Sequence, residues 1–318
     1  MSDFLTMAFS SLLQLTLLLA AAPLINGIIV TAKARIQRRR GPGILQPYFD
    51  LAKLLKKDVL IPTASSWVFR CTPYIVFAST IAIALLVPTV LVPAPMNWAG
   101  DIITVIYLFA LGRFFVALVG LDAGAAFGGL GASREMSIAS IIEPAMMLAI
   151  FTAAVTAGST NLSVIVATLS STPASMMSPA HLLAFSGLFI VTMAETGRIP
   201  VDNPDTHLEL TMIHEAMILE YSGRYLAFIE WANQLKLAVF LALLSNMFFP
   251  FGMATSVAPW PLLVGCAAFA AKVIVLAGIV AVVESTNAKL RLFRVPELLM
   301  VAFILSLLAL ILYFIIGA

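Results

Sequence analysis

The sequence predicts an all-α polytopic membrane protein. It should have about eight transmembrane helices, both termini outside and long cytoplasmic loops, in a single transmembrane domain over residues 1–318. Three observations predict this. Hydrophobic residues make up 61% of the 318 and charged residues 11%, where soluble domains run near half apolar and a quarter charged. Eight apolar runs approach the roughly 20 residues that cross a bilayer. Sixteen of the eighteen Lys and Arg residues fall in or beside alternate connections, which the positive-inside rule places in the cytoplasm.

The expected spans are residues 5–30, 72–92, 102–121, 137–157, 180–196, 235–251, 260–283 and 297–316. All should be helical, because lipid cannot satisfy open backbone groups. The first run lacks a basic n-region and an A-x-A site, so it reads as a retained span rather than a signal peptide. The basic residues belong to loops 31–71, 122–136, 197–234 and 284–296; segments 1–4, 93–101, 158–179, 252–259 and 317–318 hold no Lys or Arg. Arg113 and Lys272 fall inside spans, too central for easy snorkelling. A charge there is rarely kept without a partner or a wet cavity.

Loop 31–71 opens with Arg38, Arg39, Arg40, Gly41, Pro42 and Gly43, and Gly-Pro-Gly forces a turn. An amphipathic helix over 44–57 should follow. Gln46, Asp50, Lys53 and Lys57 share one face, with Leu45, Phe49, Ala52 and Leu55 away from it. Such a helix lies in the membrane surface or under a partner. Loop 122–136 is glycine-rich but carries neither GxxxxGK[ST] nor GxGxxG after a strand, which argues against nucleotide binding. Glu135 precedes the next span and Glu143-Pro144 lies inside it. Eight residues turn a helix by about 80°, so both acids can line one cavity, and Pro144 should kink the helix. An acid inside a span is a functional candidate, and burial favours its protonated form.

The stretch Glu195–Gly223 concentrates titratable groups: Glu195, Asp202, Asp205, Glu209, Glu215 and Glu220, with His207 and His214. Ile, Leu, Met and Pro are interspersed, so the stretch should pack against something. We read it as the place where a soluble partner docks and protons pass. His214-Glu215 opens like HExxH, but Ile218 breaks the motif, and Cys71 and Cys266 belong to no CxxC pair; a metal site is not expected. His181, at the outer end of its span, is expected to be an interface residue. No nucleophile elbow, nucleic-acid motif or internal repeat is present.

Four ordered blocks carry a family resemblance: RRRGPGILQPYFDLAKLLKK (38–57), GASRE (131–135), AETGRIPVDNP (194–204) and EYSG (220–223). Together they resemble the complex I subunit 1 family, the membrane subunit at the floor of the quinone site. They resemble most the branch found in membrane-bound group 4 nickel–iron hydrogenases of the formate hydrogenlyase type. Gly43 and Ser133 stand where complex I proteins read RRGPN and GALR, which favours that branch. His207 occupies a usual acid position of the family's PFDLPEAExEL stretch, which argues against quinone binding.

The resemblance implies a non-catalytic membrane anchor and ion-coupling subunit in the prokaryotic inner membrane. Hydrogenase-like large and small soluble subunits would dock on Arg38, Arg39, Arg40, Gly41, Pro42, Arg134, Arg198 and Arg224. Iron–sulfur clusters, and a nickel–iron centre where the partner retains one, would sit in those subunits and not in this chain. A path through Glu135, Glu143, Glu195, Asp202, Glu209, Glu215, Glu220, Glu284, Arg113 and Lys272 would pass protons or sodium toward antiporter-like membrane subunits. The alternatives are the quinone-site subunit of complex I itself and, from another class, a secondary transporter.

Overall fold

The computed structural model describes residues 2–172, 178–203 and 212–316. Among them the chain is helical without strands. The helices are α1 (Ser2–Ile36), α2 (Gln46–Lys56), α3 (Trp67–Leu86), α4 (Ile102–Asp122), α5 (Ala126–Ala157) and α6 (Leu162–Ser171). They continue with α7 (Pro179–Glu195), α8 (His214–Ile218), α9 (Gly223–Phe248), α10 (Pro259–Thr286) and α11 (Val295–Ile316). Among the described residues seven helices are long and apolar enough to cross a membrane; α7, at the fifth of the eight expected spans, is apolar but has 17 residues, about 25 Å.

The bundle is organised around α9. Its residues from Leu237 to Phe248 are buried without a break, the pattern of a helix covered on all sides. Helices α1, α2, α3, α6, α7 and α10 pack against it, while α5, α7 and α11 form a second group on its flank. The stack of Phe109 on Phe240 at 4.6 Å joins α4 to α9.

Loop hydrogen bonds sort the connections into two ends. At one end Leu60 N donates to Ser222 Oγ at 2.9 Å, Ser66 N to Asp122 Oδ2 at 2.9 Å, and Leu290 N to Pro200 O at 2.9 Å. These bonds tie together all four basic connections. At the other end Val92 N reaches Ala254 O at 2.9 Å and Leu162 N reaches Gly100 O at 2.8 Å, joining segments that hold no Lys or Arg. The Gln14 amide donates to Ala84 O and Val87 O on this second side, and Tyr313 approaches Val155 O there. Helix α1 therefore begins, and α11 ends, opposite the basic loops.

Some expected boundaries move. Loop 122–136 is helical from Ala126, and 197–234 holds α8 and is helical again from Gly223. The glycine run has a packing role: a Cβ on Gly128 would sit 2.4 Å from Gly120 O, and one on Gly131 would sit 2.9 Å from Ile213 O. These glycines let α4, α5 and the segment before α8 touch backbone to backbone. His181 corrects an expectation: it is buried, 3.3 Å from Phe248 O and packed on the Phe248 ring, because α7 leans on the end of α9.

A buried ion-pair network as candidate functional site

The site is assembled around Arg113 on α4. A guanidinium presents five donors in a planar fork, and here three nitrogens face three different carboxylates. Nε lies 3.5 Å from Glu135 Oε1, Nη1 lies 2.5 Å from Glu143 Oε1, and Nη2 donates to Glu195 Oε1. Glu135 and Glu143 come from α5, as their spacing allows, and Glu195 ends α7. Glu195 Oε2 also meets Lys236 Nζ of α9 at 2.5 Å. Arg113, Glu135 and Glu195 are almost inaccessible, whereas the Glu143 side chain is 40% exposed on the outer face of α5. Buried charges of this kind persist only when paired, and removing one partner typically costs about 3–5 kcal/mol.

The network continues into the basic end. His214 Nε2 stands 3.4 Å from Glu135 Oε2, and Nδ1 stands 3.7 Å from Asp202 Oδ2. The second separation is a charge contact, beyond hydrogen-bond range. Asp202 is itself clamped: Lys289 Nζ lies 2.8 Å from Oδ1, and the Ile213 and His214 amides donate to Oδ2 at 3.1 and 3.3 Å. Burial works against an ionised Asp202, but His214 and Lys289 outweigh it and hold the carboxyl well below the usual range. For His214 burial opposes the imidazolium, and Glu135 followed by Asp202 reverses that, raising its pKa above the ordinary histidine value.

A polar cavity of about 280 Å³ lies beside this chain of pairs, lined by Asn26, Glu195, Asp202, His214, Glu230 and Glu284 among others. On its wall Glu284 forms a second cluster, with Arg198 Nη1 at 2.7 Å and Lys33 Nζ at 3.2 Å; Arg198 Nη2 also donates to Asn26 Oδ1 at 2.6 Å. Gly197 permits the packing here: its φ is +59° and a Cβ would lie 3.1 Å from His214 Nδ1.

The structure thus brings together Arg113, Glu135, Glu143, Glu195 and Asp202, and places Glu215 and Glu284 on the adjoining cavity. Glu220 is exposed, and Glu209 lies outside the described residues. Lys272 is elsewhere, at the far end of α9, donating to Asn246 Oδ1 at 2.6 Å and to the Phe249 and Phe251 carbonyls at 3.1 Å each. Of the residues expected to dock partners, Arg38, Arg39, Arg40, Gly41, Pro42 and Arg224 are exposed. Arg134 and Arg198 turn inward, Arg134 Nη1 donating to Met212 O at 2.9 Å. Sequence reasoning places His214 in the stretch where protons pass but gives it no role of its own, and it misses Lys236, Lys289, Lys33 and Asn26 as members of the site. Each joins it from an element remote in sequence, and only the isolation of Lys236 in an apolar run was a local signal. Among the described residues no group of three His, Cys, Asp or Glu is arranged to hold a metal ion.

Comparison with known proteins shows the family of the chain. The chain is 39% identical over 287 residues to formate hydrogenlyase subunit 4 of Escherichia coli K12, covering 90% of this chain and 92% of that one. It is 36% identical over 299 residues to hydrogenase-4 component C of the same organism, covering 94% and 93%. An NADH-quinone oxidoreductase subunit of Syntrophotalea carbinolica is 33% identical over 313 residues, covering 88% and 90%. In fold the chain is similar to one of the membrane-bound sulfane sulfur reductase, an archaeal respiratory membrane complex, with a TM-score of 0.82 at 22% identity, covering 95% of this chain and 99% of that one. The NADH dehydrogenase family matches residues 9–315. This multi-pass membrane chain, with its buried ladder of carboxylates and cations, therefore belongs to the NADH dehydrogenase family.

Proposed function

We propose that the chain is the membrane anchor and ion-coupling subunit of a hydrogenase-type, formate hydrogenlyase-like redox complex of the prokaryotic inner membrane. The observation that carries this reading is the continuity of the ion-pair network. It starts at Asp202 in the basic, loop-rich end and runs through His214, Glu135 and Arg113 to Glu143, which opens on the outer face of α5. A redox event in soluble subunits seated on the basic end would alter the charge felt by Asp202 and His214. Each pair in the line would re-partition in turn, because buried charges respond strongly to their neighbours. Glu143 would then hand the change to an antiporter-like membrane subunit covering that face. Similarity to hydrogenase subunits over nine-tenths of the chain supports hydrogenase-like large and small partners, which would hold the iron–sulfur clusters and any nickel–iron centre.

The test is Glu143→Gln, which keeps shape and hydrogen bonding but cannot exchange a proton. We expect a complex that assembles and retains redox turnover with artificial carriers, while ion uptake per electron in proteoliposomes falls at least tenfold. Unchanged uptake per electron would remove the coupling role and leave an anchor.

A further inference from the structure

We propose that His214 passes a proton from the cavity at the Asp202 end to Glu135, and so joins the loop half of the network to its membrane half. This deepens the coupling reading and rests on it.

The position of the ring carries the argument. His214 sits between the two halves with one nitrogen facing each: Nδ1 toward Asp202, Nε2 toward Glu135. Both nitrogens are buried and neither makes a hydrogen bond to the described residues; Glu135 Oε2 likewise lacks a hydrogen-bond donor. The exposed 27% of the side chain opens onto the cavity, which is large enough for several waters. Gly197, held at positive φ, has no Cβ, and one there would press on the imidazole.

The charges that face the ring make its second proton matter. From α4 comes Arg113, from α5 Glu135 with Glu143 behind it, from the end of α7 Glu195, and from α9 Lys236 and Glu230. The segment after α7 contributes Asp202, the segment before α11 Lys289, and α8 itself Glu215. Within the connected network that His214 joins, which excludes the separate Glu284 cluster, three cations, Arg113, Lys236 and Lys289, face four carboxylates, Glu135, Glu143, Glu195 and Asp202. A protonated His214 supplies the fourth positive charge. The transfer starts from the Nε2–H tautomer: Nδ1, on the Asp202 side, takes a proton from the cavity to give the imidazolium. The N–H bond at Nε2 then breaks as an O–H bond forms at Glu135 Oε2, and a flip of the resulting Nδ1–H ring restores the starting tautomer. Asp202 is positioned to stabilise the imidazolium. Held ionised by Lys289 and two amides, it is poorly suited to carry the proton itself.

The experiment measures proton uptake per electron against pH in proteoliposomes of the whole complex, for wild type, His214→Gln, Asp202→Asn and Glu143→Gln. Wild type should lose uptake as pH rises through the titration of His214. His214→Gln should lower uptake at least tenfold and remove that pH dependence. Asp202→Asn keeps an oxygen for the Ile213 and His214 amides but removes the anion beside Nδ1, so the falling limb should move to lower pH by about one unit. That shift is a readout a structural role would not move, and it serves if His214→Gln fails to assemble. Wild-type uptake and pH profile in His214→Gln, or an unmoved limb in Asp202→Asn, would overturn the relay. If Glu143→Gln uncouples while His214→Gln does not, the relay fails and the coupling reading stands. If neither uncouples, both fail.

Discussion

Arg113 and Lys272 are both cations inside apolar helices, and their surroundings give them different work. Arg113 faces three carboxylates on two neighbouring helices. Among the described residues Lys272 faces only neutral oxygens: the Asn246 amide, whose Nδ2 is held by the Pro88 and Thr89 carbonyls, and the two carbonyls that follow α9. A cation at a helix C-terminus satisfies carbonyls left without intrahelical donors and meets the negative end of the helix dipole. Lys272 is therefore a pin between α9 and α10. Lys272→Met should leave these acceptors without their charged donor and cost about 1–3 kcal/mol, seen as a lower Tm of the purified complex. Ion uptake per electron should not change. A Lys272→Met complex that keeps its Tm and loses uptake would place this residue back on the path.

At the scale of elements, the corner between α1 and α2 is built to present charge. Helix α1 is followed by exposed Arg38, Arg39 and Arg40, and the next residues run back against α1 so closely that a Cβ on Gly27 would overlap Ile44 O. Helix α2 is anchored on one side only: Leu51 is buried against α9, and Tyr48 donates to Ala20 O of α1. Its other faces are open. Gln46 and Asp50 pair on the polar one, and Phe49 and Leu55 are 65% and 45% exposed. An apolar and basic surface of this kind on the loop-rich end suits a protein partner or the lipid interface. The anchoring contacts of α2 do not involve the three arginines. Changing Arg38, Arg39 and Arg40 together to Ala should therefore leave the chain inserted, with its charge bias carried by the remaining loop residues. The soluble subunits should appear in the wash fraction when membranes are rinsed. Retention of the full soluble arm on these membranes would show that docking lies elsewhere.

For the whole molecule, the two ends differ in charge and each carries exposed tryptophan. Trp67 marks the basic end, and Trp98 and Trp260 mark the end without Lys or Arg. Tryptophan at both boundaries is the arrangement of a chain seated across a bilayer. Between them α10 and α11 expose Ile274, Val275, Val301, Ile304 and Leu308, apolar surface suited to lipid or to membrane partners. The positive-inside rule puts the basic end in the cytoplasm; α1 begins and α11 ends opposite it. Single cysteines at Ser2 and Gly317 should therefore react with an impermeant maleimide added to intact cells. Protection at either position until the membrane is permeabilised would invert or break this topology.

What the sequence determined by itself is what one-dimensional patterning can encode. Apolar runs marked the spans, the partition of Lys and Arg sorted the loops by end, and the spacing of Glu135 and Glu143 allowed both to reach one centre, which proved to be Arg113. The tertiary structure alone decided which charges meet. Arg113 and Glu195 are 82 positions apart, and Arg198 and Glu284 are 86 apart, and no local periodicity links positions so distant. It also separated Lys272 from the acids, turned Arg134 and Arg198 inward, and made His214, one of several titratable residues in its stretch, the bridge. Span formation is legible because each helix satisfies its own backbone and meets lipid by composition. Ion pairing is not, because a buried charge is defined by neighbours that only the packing of seven or more helices supplies.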